Sequence, residues 1–220
     1  MQRLAFVRTA VLSVLLGLGG AVSAGAGSIE SAAVARPAAN APAYPDATLS
    51  RGDENGATIL RIDGIITRGL EQQLAAVLAS LPPSRPLVIE LSSPGGFTSA
   101  GYRLIDALLA ERQAGRPVAT RVRAGETCES MCVGVYLAGY PRYAAPSAEF
   151  MVHAPRIAET GQMTLRTTQT MVARLMSLGV SSGWIAKVTE AGGFSGAVDI
   201  RETAVTLAAA GANVVTDIVD

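Results

Sequence analysis

Histidine and lysine are almost missing from this chain: His153 and Lys187 are the single examples of each in 220 residues. One imidazole leaves no second histidine for a two-histidine metal site, which weakens a zinc-enzyme reading. Excess charge is missing too. Eighteen basic and eighteen acidic residues cancel, so no basic stripe suggests nucleic acid and no acidic tail suggests a charged partner. Pro94-Gly95-Gly96 lacks the Gly-Lys-Ser/Thr of a Walker loop and the G-x-G-x-x-G spacing of dinucleotide binders. The G-x-S-x-G elbow of the α/β-hydrolases is absent, and no internal repeat is evident.

Apolar residues are abundant. They make up 49% of the chain, with 16% charged, a core-rich composition suited to one domain of this length. The N-terminus reads as an export signal. Arg3 and Arg8 supply positive charge, 9–22 is an apolar stretch, and Val22-Ser23-Ala24 offers a cleavage site. We therefore expect a signal peptide over 1–24 and a periplasmic or secreted product. Without cleavage the segment would be a membrane anchor. Residues 25–56, rich in Ala, Pro, Gly and Ser, read as a flexible linker, and 57–220 as the folded domain.

Within that domain, β-branched 58–67 reads as a strand. Leu70, Leu74, Val77, Leu78 and Leu81 have helical spacing, and Pro82-Pro83 ends that helix. The pattern continues: strand 87–91, a turn at 92–96, helix 98–112, strand 117–122, helix 130–137 and a strand ending at 152. Helices over 163–178, 183–190 and 201–210 follow, then strand 213–219. Such alternation implies an α/β fold with mainly parallel sheet covered by helices.

Four sites bear on chemistry. The turn at 92–96 leads a strand into a helix, and its glycines allow backbone amides to approach an anion. An ordinary strand-to-helix turn has the same look. Ser130, where a loop enters a helix, is either a helix cap or a nucleophile with the Met131 amide donating to an oxyanion. His153, at a strand end, is either structural or a base near neutral pH. Asp199 either caps the last helix or orients the histidine.

Taken together, SSPGGFTSAG (92–101), ESMCVGVYLAG (129–139), RYAAPSAEFMVHAP (142–155) and the tail from Asp199 resemble the Clp protease proteolytic-subunit family. The resemblance implies a ClpP/crotonase-like spiral of β-β-α units and a serine peptidase acting on peptide or protein. It implies Ser130 as nucleophile, His153 as base and Asp199 as triad acid. It also implies Gly96 and Met131 as oxyanion donors. His153 follows Ser130 by 23 residues, and this ordered pair is more specific than the glycine turn alone. The reading calls for no cofactor and no metal. It is compatible with a homo-oligomer. An exported enzyme has no ATP-driven unfoldase beside it, so no ATPase partner is carried over.

Two alternatives stand beside the triad. Lys187 would serve a serine–lysine dyad, and an unused site would make the domain a scaffold or binding module. Cys128 and Cys132 bracket Ser130. They are either a disulfide, if Cys128 precedes the helix, or two small buried apolar residues.

Overall fold

The computed structural model describes residues 45–157 and 160–219. The expected signal peptide and most of the expected linker lie outside the described residues. The final part of that linker is structured. Residues 48–54 form β1 (Thr48–Glu54), which pairs antiparallel with β2 (Ala57–Asp63) in an unbroken register from Thr48↔Asp63 to Glu54↔Ala57. The boundary expected at residue 57 is therefore too late. β1 is an edge strand, polar and largely exposed, so it lacks the apolar run by which a strand is recognised.

After β2 come α1 (Leu70–Ala79), β3 (Leu87–Ser92), α2 (Thr98–Gln113) and β4 (Val118–Val122). Leu70, Leu74 and Leu78 are the buried face of α1, as their spacing requires. Next come β5 (Thr127–Glu129), α3 (Met131–Leu137), β6 (Arg142–Ala144), β7 (Glu149–Val152), α4 (Leu165–Ser177) and α5 (Ser182–Glu190). β8 (Ile200–Thr203), α6 (Ala204–Ala209) and β9 (Asp217–Ile218) end the described chain. The last helix thus starts later than expected. Its N-cap is Thr203, whose side chain accepts from Thr206 N–H, so Asp199 does not cap it.

The strands form two sheets. One has the order β1-β2-β3-β4-β6-β9, parallel apart from β1. The other has the order β5-β7-β8. Twice the chain places one strand in the large sheet and the next in the small one before turning into a helix: β4-β5-α3 and β6-β7-α4. This is the expected β-β-α spiral. The small sheet is what builds the site. β5 and β7 run parallel, with Glu129 opposite Met151, and β8 runs antiparallel to β7, with Ile200 opposite Val152. On the other side of β5, Ser93 bridges to Cys128. Four segments therefore lie side by side: the glycine turn, β5, β7 and β8.

The core lies between these sheets and the helices. α3 is buried along its whole length, which explains its small apolar composition. In the large sheet, Glu90 on β3 is fully buried and stands in register between Arg61 on β2 and Arg121 on β4. Its carboxylate accepts from Arg61 at 2.8 Å and Arg121 at 2.9 Å, and pairs with Arg123 at 2.8 Å.

Candidate active site

Ser130 and His153 each follow the C-terminal end of a strand, and those strands, β5 and β7, are parallel neighbours. Adjacent parallel strands deliver their next residues to the same edge of the sheet, where crevices form. The result is a contact of 2.8 Å between His153 Nε2 and Ser130 Oγ. Ser130 is the N-cap residue of α3, yet its side chain caps nothing. Its backbone is held at φ 53°, ψ −118°, a region that costs a non-glycine residue about 1–3 kcal/mol. The Ser130 N–H donates to Met151 O at 2.7 Å, which fixes the strained residue to β7. The hydroxyl is thereby turned away from its ordinary capping role and toward the imidazole.

The glycine turn closes over this residue. A Cβ built on Gly95 would stand 2.8 Å from Ser130 Cβ and 2.9 Å from Met131 N. One on Gly96 would stand 2.2 Å from Ile66 O. Both positions have positive φ, 94° and 149°. Only glycine fits either place. Ser93 braces the turn from beneath, donating through Oγ to Gly64 O at 2.6 Å and accepting from Gly95 N–H at 3.1 Å. Neither Gly96 N–H nor Met131 N–H donates to a backbone acceptor among the described residues. Two amides beside a hydroxyl and an imidazole form the kind of cradle in which a tetrahedral oxyanion is stabilised.

His153 is partly buried. Burial lowers its pKa from the ordinary 6.5, Arg156 adds to the lowering, and Asp199 opposes it. The ring is thus held neutral. With the Ser130 hydroxyl donating to Nε2, the ring proton sits on Nδ1, and that atom is buried without a partner. Continuing the β7–β8 register by one pair sets Asp199 opposite His153. The Asp199 carboxylate nonetheless pairs with Arg156 at 2.8 Å. The structure therefore brings Ser130, His153, Gly96 and Met131 to one cleft. It brings Asp199 to the adjoining backbone position, with its side chain engaged elsewhere. Lys187 is exposed on α5 and does not line the cleft, so the dyad alternative lacks its base.

The family profile described as Clp protease matches residues 57–177, which is the stretch that carries the turn, the serine and the histidine. The chain belongs to the Clp protease family. Among solved structures, a ClpP1 point mutant from Listeria monocytogenes is similar, with a TM-score of 0.58 and 19% identity over 74% of this chain and 91% of that one. At that identity the likeness establishes a shared fold.

Against this Clp-type frame, three further features belong to the site. Cys128 and Cys132 are bonded, with Cα atoms 5.2 Å apart, inside the range a disulfide spans without backbone movement. The bond is reachable because Cys128 lies on β5 and only Cys132 is helical. Arg156 and Arg174 both line the cleft. Reasoning from the sequence had singled out neither. A cation three residues past the candidate base was a signal for Arg156. For Arg174 the signal was its place beside Leu175 on the face of α4 that carries Met171.

Proposed function

We propose that this Clp-family chain is an exported serine peptidase in which Ser130 attacks the scissile carbonyl and His153 takes its proton. The observation that carries the reading is the 2.8 Å contact between Ser130 Oγ and His153 Nε2, a separation at which a base can act. As the tetrahedral intermediate forms, its oxyanion accepts from the amides of Gly96 and Met131. His153 then returns the proton to the leaving amine, and water repeats the sequence on the acyl-enzyme. Asp199 is the acid of the set. Its carboxylate turns from Arg156 to His153 Nδ1 as the imidazolium forms, and the strand register supports that assignment. The signal-like N-terminus and the bonded cysteines, which suit an oxidising compartment, support a periplasmic location.

A fluorophosphonate probe tests the reading. It should label the purified chain on Ser130, and Ser130→Ala or His153→Ala should lower peptide hydrolysis by roughly four to six orders of magnitude. Labelling that persists in Ser130→Ala overturns it. A second reading, a scaffold with an idle site, draws on the Asp199–Arg156 pair. A folded wild-type chain that neither labels nor hydrolyses would favour it.

A further inference from the structure

His153 Nδ1 is buried and has no partner, although a carboxylate stands on the neighbouring strand. Asp199 is the next position beyond the Ile200–Val152 pair, so it lies opposite His153. Residues directly opposite on antiparallel strands have Cβ atoms about 4.5–5.5 Å apart, a gap that a rotamer change of Asp199 spans. The Asp199 carboxylate is instead held by Arg156, whose Nη2 donates to Asp199 Oδ1 at 2.8 Å and to Gly196 O at 3.4 Å. Arg201, the other cation on this face of β8, is taken by Glu129. Asp199 therefore has two competing donors: the Arg156 guanidinium and the buried Nδ1–H of His153.

The competition is close. The side chains of Arg156 and Asp199 are 36% and 38% exposed, and an ion pair so open to water contributes little. The unpaired Nδ1–H, by contrast, is a standing cost. A modest change in what Arg156 offers is then enough to move the carboxylate from one donor to the other. Arg156 lines the cleft beside Ser130, and its Nε and Nη1 donate to nothing among the described residues. No carboxylate lines that cleft, and its second arginine, Arg174, is paired with Asp106. A carboxylate entering the cleft meets Arg156 as the cation with spare donors, and a guanidinium takes a carboxylate through two parallel hydrogen bonds.

We propose that Arg156 is a positioning residue that also selects ligands: it withholds Asp199 from His153, and a ligand carboxylate that takes Arg156 releases Asp199 to Nδ1. The proposal rests on the peptidase reading for what Asp199 does once released, which is to orient the imidazole. It rests on the ion-pair geometry alone for the exchange. A ligand without a carboxylate has to open the pair unaided, so acidic peptides gain their advantage at the triad itself.

The test reads the imidazole directly. His153 is the single histidine, so the imidazole NMR signals of the full chain, isotope-labelled in histidine nitrogen, belong to one residue. At about pH 8 an ordinary imidazole is neutral, and the Nδ1 proton of the unmodified chain should resonate as an unbonded ring N–H. In Arg156→Gln it should move far downfield, and adding Asp199→Asn should return it. The unmodified chain is then titrated at constant ionic strength with N-acetylglutamate α-amide, N-acetylalanine and N-acetylglutamine α-amide. The first carries a side-chain carboxylate, the second a terminal one and the third neither. At least one of the two carboxylates should move the proton downfield as Arg156→Gln does, and whichever does so names the group that Arg156 reads. The neutral amide should leave it in place. The titrations use no variant, so they do not depend on how any variant folds. Three outcomes overturn the proposal: a proton at the same position in wild type and Arg156→Gln, a shift that survives Asp199→Asn, or carboxylates that move it no more than the neutral amide. Fluorophosphonate labelling of the unmodified chain is run alongside. If labelling fails while the proton responds, the peptidase reading falls and the exchange at Arg156 stands.

Discussion

Arg156 acts on His153 in two ways, directly through its charge and indirectly through Asp199. Its charge helps to hold the imidazole below the ordinary 6.5, and its guanidinium occupies the Asp199 carboxylate. Replacing it with glutamine removes a nearby positive charge and releases Asp199, and both changes favour the imidazolium. The sign follows directly. In the wild type, a base with a lowered pKa stays competent below pH 6.5. In Arg156→Gln the acidic limb of kcat/KM should move to higher pH. A pH–rate profile with a fluorogenic peptide checks this, and an unmoved limb would show that Arg156 does not act on the ring.

The disulfide belongs to the scale of elements, because it ties β5 to α3 across Ser130. The closed loop is very short, so chain-entropy reasoning gives it only about 2 kcal/mol. Its larger effect is local, on the loop whose serine sits at strained φ. Replacing Cys128 and Cys132 together by serine should lower thermal stability modestly and lower kcat more than it raises KM. Peptide kinetics beside a melting curve separate the two effects. At this scale the sequence specifies some elements plainly and others hardly at all. α1, α2 and α4 carry apolar residues at helical spacing, and they fold close to where that spacing puts them. β1, β5 and β8 escaped because TLSRGDE, TCE and IRET are short or polar and acquire strand geometry only from their neighbours in the sheet. The same limit applies to the site. Ser130 and His153 were legible because each stands at a strand end within a recognisable motif. The Asp199–Arg156 pair depends on how side chains meet across elements, which linear order does not carry.

For the whole molecule, the decisive charge is Glu90. Burial alone would push its carboxyl upward, but Arg61, Arg121 and Arg123 more than offset this and hold its pKa below the usual 4.5. A carboxylate with a depressed folded-state pKa contributes stability that is complete above its unfolded value. That contribution is lost as pH falls through the folded value. Urea unfolding should therefore show stability declining as pH drops below 4.5. Glu90→Gln leaves three arginines facing an uncharged side chain in the sheet. It should cost roughly 3 kcal/mol near neutral pH and flatten that decline. A variant as stable as wild type would show that the sheet relieves the arginine charges by other means.

Gly95 and Gly96 have one more consequence, for anyone who rebuilds this protein. The turn has no room for a single methyl group against Ser130, Met131 and Ile66, so turn and serine loop interlock like tongue and groove. Randomising residues 93–96 while holding 128–132 constant, or the reverse, would explore almost nothing viable. The two stretches must be transplanted or diversified as one cassette, although more than thirty residues of chain lie between them.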